Sequence, residues 1–489
     1  MTKIATIKIL DEINIAVIGI TIDEYKYFYE KFGYFDKGYR FKPAYTLGRW
    51  DGKIRLFSEA GKTSIHFVED IIPDLKEFGY KIKLIDNRNP VTFDIPLIEK
   101  NYFSDYEITL GDHQVECINA LIENRGGIAI AATGAGKSYV IGALMKLIND
   151  NMNFRTIVIV PTTDLVLQTA EEIKLFGNDV GVYYGKEKQL NKKHIVSTWQ
   201  SLQNSPEILG NYQAVIVDEA HGTKSNTLKS LIVGYANRAV FIAGVTGTLP
   251  KDKSEFEQVR YVLGKEVANV GGKFLIDLGW LAKLKLSTIQ IKENFTEAWE
   301  TWKRIKDPDT PVSSLKEFKE NYFPDFKSER TWLAKNLKRN EFLADFIDIS
   351  TKKCGNSFVL VNGVDFGRRL SKLVPNSVFI HGGDENEIRK KIYNSFSTNN
   401  DVVVIATYNL ASTGLNIKRI FNLFLIDPGK SFIQIIQSIG RGLRKAEDKE
   451  SVNVWDISSD LKFSKRHLSE RKKYYREQKY NYSENKIDY

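Results

Sequence analysis

From Ile128 to His221, short runs of β-branched and aliphatic residues alternate with longer amphipathic stretches, a rhythm that constrains the fold more than any other feature of the chain. "GGIAIAAT" leads into "KSYVIGALMKLIND", and "RTIVIVPTT" into "DLVLQTAEEIKLF"; "HIVSTWQS" and "QAVIVDEAH" come next. A run that is apolar on both faces belongs to a strand covered on both sides, and strands that alternate with helices build a parallel sheet. The same rhythm returns after residue 355 in "NSFVLVNG", "NSVFIHGG", "DVVVIATYN" and "NLFLIDPG", so two α/β lobes are predicted. Between them "DLGWLAKLKLSTIQI" (277–291) reads as the crossover, and a charged, aromatic helical stretch from about 295 to 348 opens the second lobe.

The first hundred residues have shorter alternating runs, many aromatics and turn signals such as Trp50-Asp51-Gly52-Lys53, the pattern of a small α+β domain. A chain of 489 residues is too long for one core. The expected division is 1–100, 101–283 for lobe 1, 284–460 for lobe 2 and a basic, aromatic helical tail over 461–489. Cys117 and Cys354 are the only cysteines, too few for a disulfide framework or a Cys/His metal site, so a reducing cytoplasm is expected. No run of about 18 apolar residues occurs, and Asp11 and Glu12 interrupt the N-terminal stretch, so neither secretion nor a membrane span is expected. The net charge of +9 suits a polyanionic partner, and Lys462–Lys479 concentrates eight Lys or Arg against two Glu.

"AATGAGKS" (131–138) stands between a strand and a helix, the context that a phosphate-binding loop requires. Thr133, Gly134, Ala135 and Gly136 would wrap phosphates with backbone N–H groups at a helix N-terminus. Lys137 would reach the β- and γ-phosphates and Ser138 a Mg²⁺ ion. Ala131 occupies the place of the usual first glycine, which is tolerable where φ is negative; the alternative is a glycine turn that merely precedes a lysine. After another buried strand, Asp218-Glu219-Ala220-His221 sets two carboxylates side by side, costly to bury without a cation. Asp218 would hold Mg²⁺ and Glu219 would polarise a water, unless the tetrapeptide is a solvent-facing acidic turn. Gln114 could read the donor–acceptor edge of adenine or be an ordinary surface helix residue. In "QSIGRGLR" (437–444), Arg441 and Arg444 on one helical face or turn, beside Gln437, could neutralise a transferring γ-phosphoryl; a pair of surface arginines is the alternative.

Together these motifs resemble the DEAH-containing superfamily 2 helicases and translocases, in which Ala at the first position of motif I is ordinary. "VPTTDLVLQ" (160–168) is similar to motif Ia, "VSTWQSL" (196–202) to the next strand-tracking motif, "DEAH" to motif II and "GVTGTLP" (244–250) to motif III. "FVLVNGVDFGRRL" resembles motif IV, "ATYNLASTGLNI" (406–417) motif V and "QSIGRGLR" motif VI, all in order from about 105 to 458. The resemblance implies two RecA-like lobes in tandem that close on ATP and Mg²⁺. Gly414 and Asn416 of motif V would join the nucleotide, although Asn416 stands where an acidic residue is common. It also implies that Thr162, Thr198, Gln200, Asn362, Ser412 and Thr413 grip one strand's phosphates without reading sequence, and that Thr246 and Thr248 relay the nucleotide state. Thr-Gly-Thr in motif III, rather than Ser-Ala-Thr, argues against an RNA-unwinding member.

"KGYRFKPAYTLGRWDGKIRLF" (37–57) interleaves aromatics with Arg40, Lys42, Arg49 and Lys53. On a strand, Tyr39 and Phe41 would face one way, into a small core, and Arg40 and Lys42 the other, toward phosphate; a merely solvated basic face is the alternative. This stretch, and the tail "RHLSERKKYYREQKYNY", resemble the UvsW group of phage recombination helicases; the tail helix would touch duplex phosphates, cover the second lobe or simply be solvated. The resemblance implies a 3′ to 5′ DNA motor that remodels Holliday junctions, forks, D-loops and R-loops, works as a monomer in the (host) cytoplasm, and has recombination or single-strand-binding proteins as further partners. The rivals are a duplex translocase subunit of a restriction or repair complex and an ATP-gated nucleic-acid clamp.

Overall fold

In the computed structural model, residues 3–296, 299–300, 314, 318, 322–411, 417 and 419–489 are described. They fall into two compact units, Met1–Val270 and Gly271–Tyr489.

The first unit begins with a small sheet of β1 (Ile4–Ile9), β2 (Asn14–Ile18), β5 (Lys62–Ser64) and β6 (Lys81–Asp86), in the order β5-β2-β1-β6. A two-stranded ribbon, β3 (Gly33–Phe35) with β4 (Lys53–Arg55), stands beside it. Alternation along β1 sends Ala5, Ile7 and Ile9 inward. There they meet Phe28 of helix Ile22–Lys31, whose start is fixed by a Thr21/Glu24 capping box, and Ile71 and Leu75 of helix Val68–Glu77. Arg260 fastens this small domain to the remainder of the unit. Its guanidinium donates to Asp70 at 2.5 Å and to the His66 carbonyl at 3.0 Å, and lies 5.0 Å from the Phe67 ring. Tyr261 packs into the small domain's core.

The rest of this unit is one sheet: β7 (Gly126–Ala131), β8 (Thr156–Val160), β9 (Val180–Tyr184), β10 (Glu187–Lys188), β11 (His194–Thr198), β12 (Ala214–Asp218), β13 (Phe241–Thr246) and β14 (Glu266–Val270). The order is β10-β9-β11-β8-β12-β13-β7-β14, parallel apart from the β9–β10 edge. Every residue of β8, β11, β12 and β13 is buried, as expected of strands covered on both faces. The turns that leave β7, β8, β12 and β13 gather at the carboxyl edge, where open α/β sheets bind ligands.

The second unit repeats the plan with β15 (Lys283–Lys292), β16 (Ser357–Val361), β17 (Ser377–Ile380), β18 (Val403–Thr407), β19 (Asn422–Ile426), β20 (Ser451–Ser459) and β21 (Tyr482–Asp488). Among the described residues the order is β17-β18-β16-β19-β20-β15-β21, with parallel pairings throughout. The predicted helical opening is represented by helices Phe326–Lys335 and Leu337–Cys354; much of 297–321 lies outside the described residues. The tail differs from a plain helix. After Lys462–Glu477 the chain returns as β21 and pairs with β15 from Leu286 to Lys292, adding an edge strand to this sheet.

Candidate active site

β7 ends at Ala131 and the chain turns through Ala132–Gly136 into helix Lys137–Met152. Ala131 closes the strand in extended backbone, so a glycine is not needed there. Gly134 and Gly136 stand at φ +90° and +80°, where a side chain is disfavoured. At Gly136 a Cβ would also meet Nε2 of Gln114 at 2.2 Å. The first N–H groups of the helix have no acceptor one turn earlier, so with the helix dipole they face the turn's concavity. Thr133, Gly134 and Ser138 are half-buried around it.

Gln114 is buried, which removes the surface-helix reading. Its Oε1 accepts from Gly111 N–H at 2.8 Å and its Nε2 donates to the Ala135 carbonyl at 3.0 Å. In this state the amide braces the phosphate turn, and its hydrogen-bonding edge is engaged by backbone instead of being presented to adenine. His113, which the sequence did not single out, adds a second brace with Nε2 3.0 Å from the same carbonyl. Burial lowers the affinity of this imidazole for a second proton.

From the end of β12, the two carboxylates meet the lysine. Lys137 Nζ donates to Glu219 Oε1 at 2.9 Å, with the two side chains 14% and 19% exposed. Glu219 is set by a left-handed backbone (φ +54°), and its N–H donates to Asp218 Oδ1 at 2.9 Å. His221 Nδ1 lies 3.3 Å from Glu219 Oε2 and 3.0 Å from Thr246 Oγ1, while that hydroxyl donates to the Thr248 carbonyl at 2.9 Å. Gly247 brings this loop against the phosphate turn: a Cβ there would stand 3.4 Å from Thr133 Oγ1 and 3.6 Å from Lys137 Nζ. Thr248 Oγ1 is buried with no hydrogen-bond partner among the described residues.

The two acids are driven apart electrostatically. Burial, and then the neighbouring Glu219 charge, push the Asp218 carboxyl up to about 6. Burial acts on Glu219 too, but the Lys137 ammonium and His221 outweigh it and hold that carboxyl well below the usual range. An acid that resists ionisation in a buried site suits a cation ligand, because a divalent ion would supply the missing charge. The open turn, Lys137 and this acid fit a nucleotide with its divalent cation.

In the second unit, Gln437 and Arg441 are buried one turn apart on helix Phe432–Gly442, and Arg444 comes in the turn beyond it. Lys449, missed in the sequence, closes that turn by donating to the carbonyls of Gly442 at 2.5 Å and Arg444 at 2.9 Å. Burial, with Arg444 nearby, pulls its ammonium down to about 7. The segment leading into this helix is held more firmly. Arg471, fully buried, takes both oxygens of Asp456 (2.9 and 2.8 Å) and donates to the Pro428 carbonyl at 2.8 Å. Arg339, equally buried, binds Glu293 at 3.0 Å and Asp427 at 2.8 Å. Asn362 donates to the Asp427 carbonyl at 2.7 Å, and Tyr474 to that of Lys430 at 3.0 Å.

The residues assigned to nucleic acid are placed unevenly. Thr162 leaves β8 at the head of helix Thr163–Lys174 with its hydroxyl buried and unpartnered among the described residues. Thr198 caps helix Trp199–Gln203 through Ser201 N–H, an internal job, and exposed Gln200 donates to the Pro161 carbonyl at 3.4 Å. Ser412, Thr413, Gly414 and Asn416 lie outside the described residues. The strand alternation expected around Arg40 is not formed. Tyr39–Phe41 is a 3₁₀ turn entered through Gly38 at φ +70°, and Pro43 starts the short helix Pro43–Thr46, so Phe41 is exposed, not packed in a core. Arg40 and Arg49 are exposed, whereas Lys42 is ion-paired with Asp36 and Lys53 with Glu30. The tail helix covers the second unit with His467, Leu468, Arg471 and Tyr475 buried.

Comparison with known proteins matches residues 12–86 to the N-terminal domain of the DNA helicase UvsW, 107–251 to the family described as type III restriction enzyme, res subunit, and 338–446 to the helicase conserved C-terminal domain. The chain is 26% identical to the ATP-dependent DNA helicase uvsW of Enterobacteria phage T4, over 89% of this chain and 87% of that protein. It is 25% identical to the DNA 3′-5′ translocase XPB2 of Sulfurisphaera tokodaii, over 88% and 98% of the two chains. Among solved structures, Saccharomyces cerevisiae Dbp5 bound to RNA and ADP BeF3 aligns with a TM-score of 0.54 at 16% identity, covering 80% of this chain and 92% of that one, a likeness of fold. Conserved-domain matches in the same order as the two sheets and the small N-terminal domain leave one assignment: the chain is a superfamily 2 helicase of the UvsW-like kind.

Proposed function

We propose that the chain is an ATP- and Mg²⁺-dependent DNA helicase and translocase that moves 3′ to 5′ and remodels branched DNA, such as Holliday junctions, forks, D-loops and R-loops. The observation that carries this reading is the Lys137–Glu219 ion pair set over a phosphate-binding turn and tied to the motif III loop through His221 and Thr246. A triphosphate would compete with Glu219 for Lys137. Once that ammonium turns to phosphate, Glu219 loses its strongest partner, its basicity rises, and it can orient and deprotonate the attacking water. Ser138 and Asp218 would hold the Mg²⁺, which neutralises phosphate charge. Any change at Glu219 reaches Thr246 through His221, which gives the nucleotide state a path to the loop after β13. Arg441 and Arg444 are the second lobe's candidates for neutralising a transferring phosphoryl, with Gly414 and Asn416 of motif V as further candidates, and Lys449 fixes the turn that carries Arg444.

Thr162, Thr198, Gln200, Asn362, Ser412 and Thr413 are the candidates for gripping a strand's phosphates, Thr198 and Asn362 through the loops they secure. The small N-terminal domain is an accessory DNA-binding domain in which Arg40 and Arg49 are the exposed cations and Lys42 and Lys53 contribute once their acids let go. A synthetic four-way junction tests the proposal: ATP-dependent conversion to duplex products should exceed any action on linear duplex or RNA hybrids, and equal indifference to all three would reject it. A second reading, a duplex translocase without strand separation, is favoured by the restriction-subunit match over 107–251 and by the 3′-5′ translocase relative. It predicts triplex displacement from blunt duplex with no strand displacement on forks.

A further inference from the structure

Phe41 has 90% of its surface exposed, in a segment where the other aromatics are tied down. Tyr39 stacks on Phe35 (4.7 Å between centroids) and meets Tyr45 edge-on at 4.8 Å. Its ring lies against the backbone of Gly52, where a Cβ would come within 2.4 Å. Trp50 donates to the Lys53 carbonyl at 2.8 Å and carries Lys42 over its face, while Lys42 is paired with Asp36. The Phe41 backbone itself is fixed, its N–H donating to the Gly38 carbonyl at 3.0 Å. The backbone turn and its packed neighbours thus present one phenyl ring to water, the most exposed of the large apolar side chains among the described residues. Leu47, 64% exposed, is a second apolar side chain of the same segment, and exposed Arg40 and Arg49 flank the two in sequence.

Phosphates gain nothing from a phenyl ring, and neither does a smooth duplex whose bases are stacked inside. A base whose face is uncovered gains a great deal, and guanidinium groups alongside would hold its backbone. We infer that Phe41 is a wedge that stacks on the unpaired base, or on the uncovered last base pair, at a DNA branch point. This rests on the proposal that the N-terminal domain meets branched DNA.

The test uses the full chain with forked and blunt DNA of equal length. In Phe41→Ala, fork affinity falls by about 5- to 150-fold, the range of one lost base–aromatic stack. Blunt-duplex affinity changes by less than about twofold, the salt dependence of fork binding keeps its slope because phosphate contacts remain, and Phe41→Trp restores the fork preference. Unchanged fork affinity, or an equal fall for both DNAs, overturns the wedge. So does a wild-type dimer that Phe41→Ala dissolves, since the ring would then serve a second copy. Arg40→Ala combined with Arg49→Ala separates the two levels. If it weakens both DNAs while Phe41→Ala does nothing, only the wedge fails; if it weakens neither, the DNA-binding role of the domain fails with it.

Discussion

The Lys137–Glu219 pair in the first unit and the Arg471–Asp456 pair in the second are both contacts of about 2.9 Å between a cation and a carboxylate, yet they are built for opposite ends. The first keeps 14% and 19% of its side-chain surface in contact with solvent, uses one lysine and one acid oxygen, and sits over an open turn. The second is sealed at 0% on both sides, and its fixed fork takes two acid oxygens, two backbone carbonyls and the Ser458 hydroxyl, with Tyr475 donating to the same acid. A pair that can be exchanged for a ligand must remain reachable. A pair that only shapes the chain is best enclosed, because breaking it strands a buried charge. Lysine suits the first task as a mobile point charge, and arginine the second as a rigid planar donor.

The largest effect should come from the exchangeable pair. Lys137→Ala or Glu219→Gln is expected to lower ATP turnover by about 10³-fold or more, in line with the loss of a charged group from a phosphoryl-transfer site. Melting temperature and DNA binding should stay close to wild type. Steady-state hydrolysis beside a DNA-binding titration checks this, and normal turnover in either variant would remove the site assignment.

Arg471→Ala should do the reverse. Removing one partner of a buried pair costs about 3–5 kcal/mol, so denaturant unfolding of the variant should show a clear loss of stability. Whatever folded protein remains should bind nucleotide at the Lys137 turn with little change, since that turn is built within the first unit. Arg471→Lys should recover only part of the loss, because an ammonium cannot span both oxygens of Asp456 and the Pro428 carbonyl. Full recovery would mean that charge alone, without the fork, supports the segment leading into helix Phe432–Gly442.

This contrast also explains what could be read from the sequence. The phosphate turn and the Asp218-Glu219 pair are local: the chemistry is carried by neighbours in the chain, and the buried strands before them announce themselves as unbroken β-branched runs. The sealed pairs are non-local. Arg339 finds Asp427 across 88 residues, and Arg471 lies in a stretch whose composition suggests only a basic surface helix. Only its helical spacing from Leu468 and Tyr475 separates the inward arginine of that helix from Lys465, Arg466 and Lys473, which face out. Strand β21 escapes a sequence reading because "YSENKID" is acidic and polar; as an edge strand it needs only its backbone to pair. The 37–46 segment misleads for a different reason. Its interleaved rings and cations match a strand period, but Gly38 and Pro43 are turn and helix-start signals visible in the same sequence, and they decide the backbone.

A smaller effect should come from pH at Asp218. With its carboxyl raised to about 6, the free protein increasingly carries a proton there as pH falls below that value, and the proton must leave before a cation binds. Affinity for Mg²⁺-nucleotide should therefore drop about tenfold per pH unit below about 6. Asp218→Asn should weaken binding at every pH and flatten this slope. The stability linkage has the opposite sign: a raised carboxyl favours the fold at low pH and loses that contribution as pH climbs through about 6. Mg²⁺-nucleotide titrations at pH 5.0, 6.0 and 7.5 distinguish the two; an unchanged slope in Asp218→Asn would show that another group binds the proton.

A comparable slope, read in stability instead of binding, belongs to Lys449, which combines the two designs: it is sealed like Arg471 yet is a lysine like Lys137. Burial brings its ammonium down to about 7 in the fold, against the ordinary lysine value of about 10.4 in the unfolded chain. Between those values the unfolded chain holds a proton that the folded one has released, so this group makes stability rise with pH, by at most about 1.4 kcal/mol per unit. Below about 7 the buried ammonium is held by the Gly442 and Arg444 carbonyls, with the Asp448 charge nearby. Lys449→Met should remove the rise between pH 7 and 9 while leaving Arg471 and its acid untouched, and melting temperatures of the two proteins across that interval read the difference directly. If the variant keeps the same slope, Lys449 is charged throughout. The turn after helix Phe432–Gly442 would then belong with the permanently paired arginines, not with the exchangeable lysine.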